Sequence, residues 1–413
     1  MKKQKINGLV ALVLVIVSII MTSSLLQGNF VIFSRGWVWL ALGCVICVLQ
    51  YPSYLRQKSI TWLLIYALIV FLNYFTGDLY FNSPVNVIME IGMLLFCSYT
   101  SYYASERDNY LTNFLVGGLL IVIVLTSVLS ITVDMVFPGV IRETVSMING
   151  GYSDEAIPFY RMGVCEYGFP HAVPMIIPGI VLLSKNREIK LFYRIIAIVL
   201  LCLLFYLVFV SGVTTALILV LFGILSSLFV REGELKKNVS RLIILGVLLT
   251  PLLSDNVMLG ILNFAEQVVP EKNKITGKII NFEETIKNDD AADGSIQQRG
   301  DLYGMSLDAF LSNPIIGTND KPLGGHSAFL DRMGTLGLLG FVPFILFTFL
   351  LIKQIKQRIH KHAVIFYYIG MAGFLVMLSS KNMSNIYVWL YSICLLPALI
   401  QLNSNPPKFL LRH

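Results

Sequence analysis

About twelve apolar runs recur along this chain, and most approach the roughly 20 residues that a helix needs to cross a bilayer. The first spans 9–26. The others are centred near Cys44, Tyr66, Met93, Val122, Ile177, Leu201, Leu219, Val247, Phe344, Phe374 and Leu395. Charged residues make up only 13% of the chain, against about 25% in soluble domains. The deficit runs from end to end. The expected fold class is therefore all-α: a polytopic membrane helix bundle of about twelve transmembrane helices, one membrane domain over 1–413. The run at 9–26 is longer than a signal-peptide core and lacks a small-residue cleavage site, so it is read as a retained first span. The stretch 193–230 is long enough for two crossings, and Ser211-Gly212 offers a turn between them.

Lysine and arginine alternate among the loops. One set carries Arg56 and Lys58; Arg107; Lys185, Arg187 and Lys190; Arg231, Lys236, Lys237 and Arg241; and Lys353, Lys356, Arg358 and Lys361. By the positive-inside rule these loops and both termini are cytoplasmic. The net charge of +7 then needs no nucleic acid partner, only the lipid bilayer. Of the six cysteines only Cys165 falls in an outside loop, where it has no partner for a disulfide. Cys44 and Cys47 form C-x-x-C inside an apolar span and are read as packing residues.

Two outside loops are large, 134–171 and 254–327, and long loops tend to carry function. Within the second, 275–294 is polar and poor in apolar residues. Leu302, Tyr303, Leu307, Phe310 and Leu311 then recur at helical spacing, and Asn313-Pro314 ends the pattern. This predicts an amphipathic helix on the outer membrane surface or against the bundle. The outside segments carry Arg142, Arg161, Arg299, His326 and Arg332. Arginine presents a planar fork that suits phosphate.

No P-loop, H-E-x-x-H or G-x-S-x-G occurs, and no outside D-x-D suggests metal-assisted sugar transfer. A chemistry without metal or cofactor remains. Arginines would hold a lipid pyrophosphate as it leaves, and a neutral histidine would take a proton from an attacking hydroxyl. Neighbouring positive charges would keep that histidine neutral.

The run Arg299…Tyr303…Phe310-Leu-Ser-Asn313-Pro314-Ile-Ile-Gly317…His326-Ser327-Ala-Phe329-Leu330…Gly334-Thr-Leu-Gly337-Leu-Leu-Gly340 resembles the signature of the O-antigen polymerase and O-antigen ligase superfamily. The resemblance implies a membrane glycosyltransferase whose donor is a glycan on undecaprenyl pyrophosphate at the outer face of the bacterial cytoplasmic membrane. With no metal motif and no dedicated carboxylate nucleophile in the run, the expected transfer is metal-independent and inverting. A polymerase moves the chain onto the next lipid-linked repeat unit, in capsule, exopolysaccharide or O-antigen synthesis. A ligase moves it onto another acceptor. Polymerase is the favoured reading, with a flippase and a chain-length regulator as pathway partners. His326 is the expected catalytic base, with Arg161, Arg299, Arg332, Arg142 and Tyr303 binding the pyrophosphate or glycan.

Other readings stand beside these. Arg332 and Asp331 could be snorkelling or paired at the rim. Arg161 and Arg299 could hold loops through Glu166 and Asp301. Arg142 beside Glu143 suits a solvated face, and His171, near Pro174 and Pro178, suits a structural role. Glu90, within a span, is either functional or paired. Gly334, Gly337 and Gly340, three apart, are expected to make one small packing face on a helix over 327–352. A lipid-linked oligosaccharide flippase is the rival class. It predicts charges along a mid-membrane path and pseudo-symmetric halves.

Overall fold

A computed structural model describes residues 8–76, 84–106, 109–141, 144, 153–234, 237–242, 295–318, 327–380, 385–407 and 409–411. The described residues are built from helices. In chain order these are α1 (Gly8–Thr22), α2 (Ser24–Asn29), α3 (Val31–Ser34), α4 (Gly36–Gln50), α5 (Lys58–Thr76), α6 (Pro84–Glu106), α7 (Asn109–Val136), α8 (Ser153–Arg161), α9 (Gly168–Lys185), α10 (Leu191–Val210), α11 (Thr214–Phe229), α12 (Ser295–Ser312), α13 (Ala328–Lys356), α14 (Val364–Ser380) and α15 (Ile386–Ser404). Helices satisfy their own backbone groups, which hydrocarbon requires of any element that spans it.

Seven of these helices, α5, α6, α7, α9, α10, α13 and α15, are long and apolar enough to cross a membrane. Four shorter apolar helices, in α1, α4, α11 and α14, account for four more of the expected runs. The run near Val247 lies outside the described residues. The first helix ends at Thr22 rather than near residue 26, because Ser23 caps a new helix by accepting from the Leu26 amide. The stretch 193–230 is two helices, α10 and α11, turning at Ser211-Gly212.

α9 and α15 form the centre, with 83% and 89% of their spans buried. α10 is only 28% buried and faces outward. The exposed Ile195, Ile196, Ile198 and Val199 on α10 are what a lipid-facing helix carries. Around Trp389, the rings of Phe344, Phe347 and Phe374 lie 5.0–6.2 Å away, so α13, α14 and α15 meet on aromatic contacts. Cys44 and Cys47 are buried packing residues, and the Cys44 thiol donates to the Gly92 carbonyl.

The two ends of the bundle differ. At one end Lys185 Nζ donates to the carbonyls of Ser227, Leu228 and Val230 at the end of α11, where a cation complements the helix dipole. The Gly233 amide donates to the His362 carbonyl, and Asn186 to Asn403, tying together the basic loops there. At the other end α2 packs on α8, the Tyr303 hydroxyl donates to the Ser380 carbonyl, and Asn385 lies against Gly168. Arg161, α12 and the start of α13 share this second end.

Candidate functional site

α12 runs over Ser295–Ser312 and stops before Pro314. It packs on α13, burying Ser306, while Met305, Leu307 and Leu311 remain exposed on its outer side. It thus lies against the bundle with an apolar edge left for lipid. Tyr303 is half-buried and holds the end of α14 through Ser380.

The turn after α12 then enters α13. Gly337 has φ +58 and ψ −163, so α13 is broken there. The three glycines therefore do not form one continuous helical face, as their spacing predicted. The break is filled by backbone from 313–318. The Leu338 and Leu339 amides, left without helical partners, donate to the Pro314 and Ile315 carbonyls at 2.9 and 3.0 Å. The Thr318 amide donates to the Gly334 carbonyl at 3.1 Å. Gly317, at φ +76, meets Gly337 so closely that a Cβ on either would strike the other's segment. Positive φ and backbone contact together require glycine at both. Broken helices occur at membrane depth only where protein re-satisfies the freed groups, which this turn does.

The first half of α13 is fixed from its N-terminus. Ser327 caps it by accepting from the Leu330 amide at 3.1 Å, and Asp331 in the first turn accepts from Ser306 Oγ at 2.7 Å. An acid here also complements the helix dipole. Arg332 is expected at the membrane rim but is only 2% exposed. Its Nη2 pairs with Glu90, its Nε donates to the Tyr66 hydroxyl at 3.0 Å, and its Nη1 donates to the Ala328 carbonyl at 2.9 Å. The Tyr66 hydroxyl donates to Glu90 in turn, and the guanidinium lies 4.4 Å from the Phe344 ring centroid. Every nitrogen of Arg332 is thus engaged by α5, α6 or α13 itself. Of the two readings of Glu90, the structure has the paired one.

A second group sits between α2 and α8. Arg161 is exposed, and its Nε donates to the Gly28 carbonyl at 3.3 Å. Asn29 Nδ2 donates to the Arg161 carbonyl at 2.8 Å. Among the described residues Arg161 makes no ion pair with Glu166, the loop-holding contact expected as an alternative. Glu166 is half-buried near Tyr160, and burial pushes its carboxyl up to about 7. Sequence reading named Glu166 only as a possible partner for Arg161. Neither burial nor the cavity it lines has a sequence signature. Cys165 is buried, and its thiol is pushed up to about 12 by desolvation. His171, buried on α9, bonds through Nδ1 to the Tyr167 carbonyl at 2.9 Å.

Several expected site residues fall beyond this geometry. His326 and Arg142 lie outside the described residues. Arg299 lies on α12, and its side chain is outside the described set. Among the described residues no three His, Cys, Asp or Glu side chains gather as metal ligands.

A multi-pass bundle with a broken helix at one end, braced by an amphipathic helix, defines a polytopic all-α membrane protein. Residues 196–345 match the family model described as O-antigen ligase, and this match supports the O-antigen polymerase and ligase superfamily for the chain. The matched stretch runs from α10 into the second half of α13 and includes positions 299, 303, 326 and 332. Arg161 and Glu166 lie before it. The family implies a membrane glycosyltransferase-like enzyme with a lipid-linked oligosaccharide substrate. No curated protein matches the chain.

Proposed function

We propose that this protein is a polysaccharide polymerase. It transfers a growing glycan from undecaprenyl pyrophosphate onto the next lipid-linked repeat unit at the outer face of the cytoplasmic membrane. The observation that carries this reading is the O-antigen ligase match over 196–345, which takes in the braced α12–α13 unit. The basic loops on the opposite end support cytoplasmic termini.

In this reading His326 takes the proton from the acceptor hydroxyl. That oxygen forms the new bond to the anomeric carbon from one side, while the bond to the pyrophosphate oxygen breaks on the other. The configuration inverts, and the lipid pyrophosphate leaves with its electron pair. Position 326 directly precedes the Ser327 cap of α13. Arg161 and Arg299 hold the pyrophosphate. Arg332 has a different part: its contacts with Glu90 and Tyr66 hold the first half of α13 in position.

Deleting the protein in its host and sizing the surface polysaccharide tests the reading. Single repeat units on lipid at the outer face are expected. Long chains still on the lipid would mean a ligase, and repeat units retained inside would mean a flippase. A well-expressed His326→Ala protein should lose about 100- to 10,000-fold in rate and leave single units unpolymerised. Full-length chains from that variant would remove His326 from the chemistry.

A further inference from the structure

The contact of α2 with α8 leaves a cavity of ≈ 340 Å³ lined by Ser24, Gln27, Asn29, Tyr160, Arg161 and Glu166, among others. Small-molecule sites run from about 300 to 1,000 Å³. The hydrogen-bonding capacity left around this cavity leans towards acceptors. Gln27 Nε2 donates to the Ile20 carbonyl, and Asn29 Nδ2 donates to the carbonyls of Leu25 and Arg161. Both Asn29 donors and one of the two Gln27 donors are therefore spent on the backbone, and among the described residues nothing donates to either amide oxygen. Ser24 is 1% exposed, and its Oγ has no hydrogen-bond partner among the described residues. Nor does the Glu166 carboxyl bond to any of them. Among the described residues Arg161 uses only Nε, on Gly28, and both terminal nitrogens remain. Four sets of oxygens able to accept from hydroxyls, with the Ser24 O–H and one Gln27 N–H left to donate, beside one guanidinium, match a sugar next to an anion.

We propose that this cavity binds the sugar residue joined directly to the pyrophosphate, with Ser24, Gln27, Asn29 and Glu166 accepting from its hydroxyls and Arg161 meeting the adjoining phosphate. The proposal rests on the reading of Arg161 given above and names the substrate part that sits beside it. Phe30, Val31 and Ile32 follow Asn29 directly and are 53%, 83% and 65% exposed. Of these Val31 lines the cavity and gives it an apolar edge, which suits a sugar that arrives on a lipid. Burial holds the Glu166 carboxyl partly protonated near neutral pH, so it can lie near a phosphate without full repulsion. Tyr160 supplies a ring at the wall.

The full-length protein in membrane vesicles tests this, with the host's own lipid-linked repeat unit as probe. Ser24→Ala and Glu166→Gln should each raise KM about 3- to 10-fold, the worth of one lost hydrogen bond. The unfolding temperature of Ser24→Ala should not fall, since that hydroxyl has no partner among the described residues to lose. Inorganic pyrophosphate should inhibit both variants as it inhibits the wild type, and should inhibit Arg161→Lys less. Undiminished inhibition of Arg161→Lys removes the phosphate reading alone. Unaltered KM in both Ser24→Ala and Glu166→Gln overturns the sugar subsite alone. A third arm uses the wild type only. The 1-phosphate of the sugar that heads the host's repeat unit should inhibit better than inorganic phosphate. Equal inhibition by the two overturns the proposal, whatever the variants do.

Discussion

At the scale of single residues, Arg332 and Glu90 behave as a unit. Removing one partner of a buried ion pair leaves an uncompensated charge and costs about 3–5 kcal/mol, whereas replacing both with apolar groups is often nearly neutral. Arg332→Met and Glu90→Leu should therefore each lower the unfolding temperature in detergent sharply, and the double variant should recover most of the loss. Additive losses would mean that the pair is not a unit. The sequence flagged Glu90 as costly inside a span, but its partner lies 242 residues away, and no local pattern joins them. Glu166 carries a pH signature. Its carboxyl is raised from an ordinary 4.5 to about 7, so the folded state binds its proton more tightly than the unfolded chain. That contribution is fully present below about pH 4.5 and is lost as pH rises through about 7. Glu166→Gln should flatten the dependence of unfolding temperature on pH across that window, and an unchanged slope would refute the assignment.

Among the elements, the α12–α13 unit makes the sharpest demand. Gly337→Ala or Gly317→Ala would press a methyl into backbone at positive φ, so either should lose well over 1 kcal/mol and misplace the first half of α13. Gly304→Ala is the control. A Cβ there meets nothing within 4 Å, and alanine should stabilise α12 by roughly 0.5–1 kcal/mol. Equal folded yields for Gly337→Ala and Gly304→Ala would count against the break. The amphipathic helix and its stop at Asn313-Pro314 were legible because they follow period and punctuation. The break was not, because three glycines spaced three apart also fit a continuous packing face. Only the docking of 313–318 tells a packing glycine from a hinge glycine.

For the whole molecule, apolar run length carried most of the architecture, including the division of 193–230 into two helices. Run length does not say which helices lie at the centre. That α9 and α15 are central while α10 faces outward is set by tertiary packing. Orientation across the membrane is checked by thiol labelling of Asn288→Cys in a background without the native cysteines. Labelling by a membrane-impermeant reagent in intact cells is expected, and labelling only after lysis would invert the topology. The broken helix also bears on biogenesis. The amides of Leu338 and Leu339 need the carbonyls of Pro314 and Ile315, and those carbonyls leave the ribosome first. The break can therefore close as soon as it emerges, with no wait for later chain. A circular permutation opened within 319–326 would reverse that order, sending freed amides into the bilayer before their acceptors are made. Such a permutant would keep every contact on paper and still insert poorly.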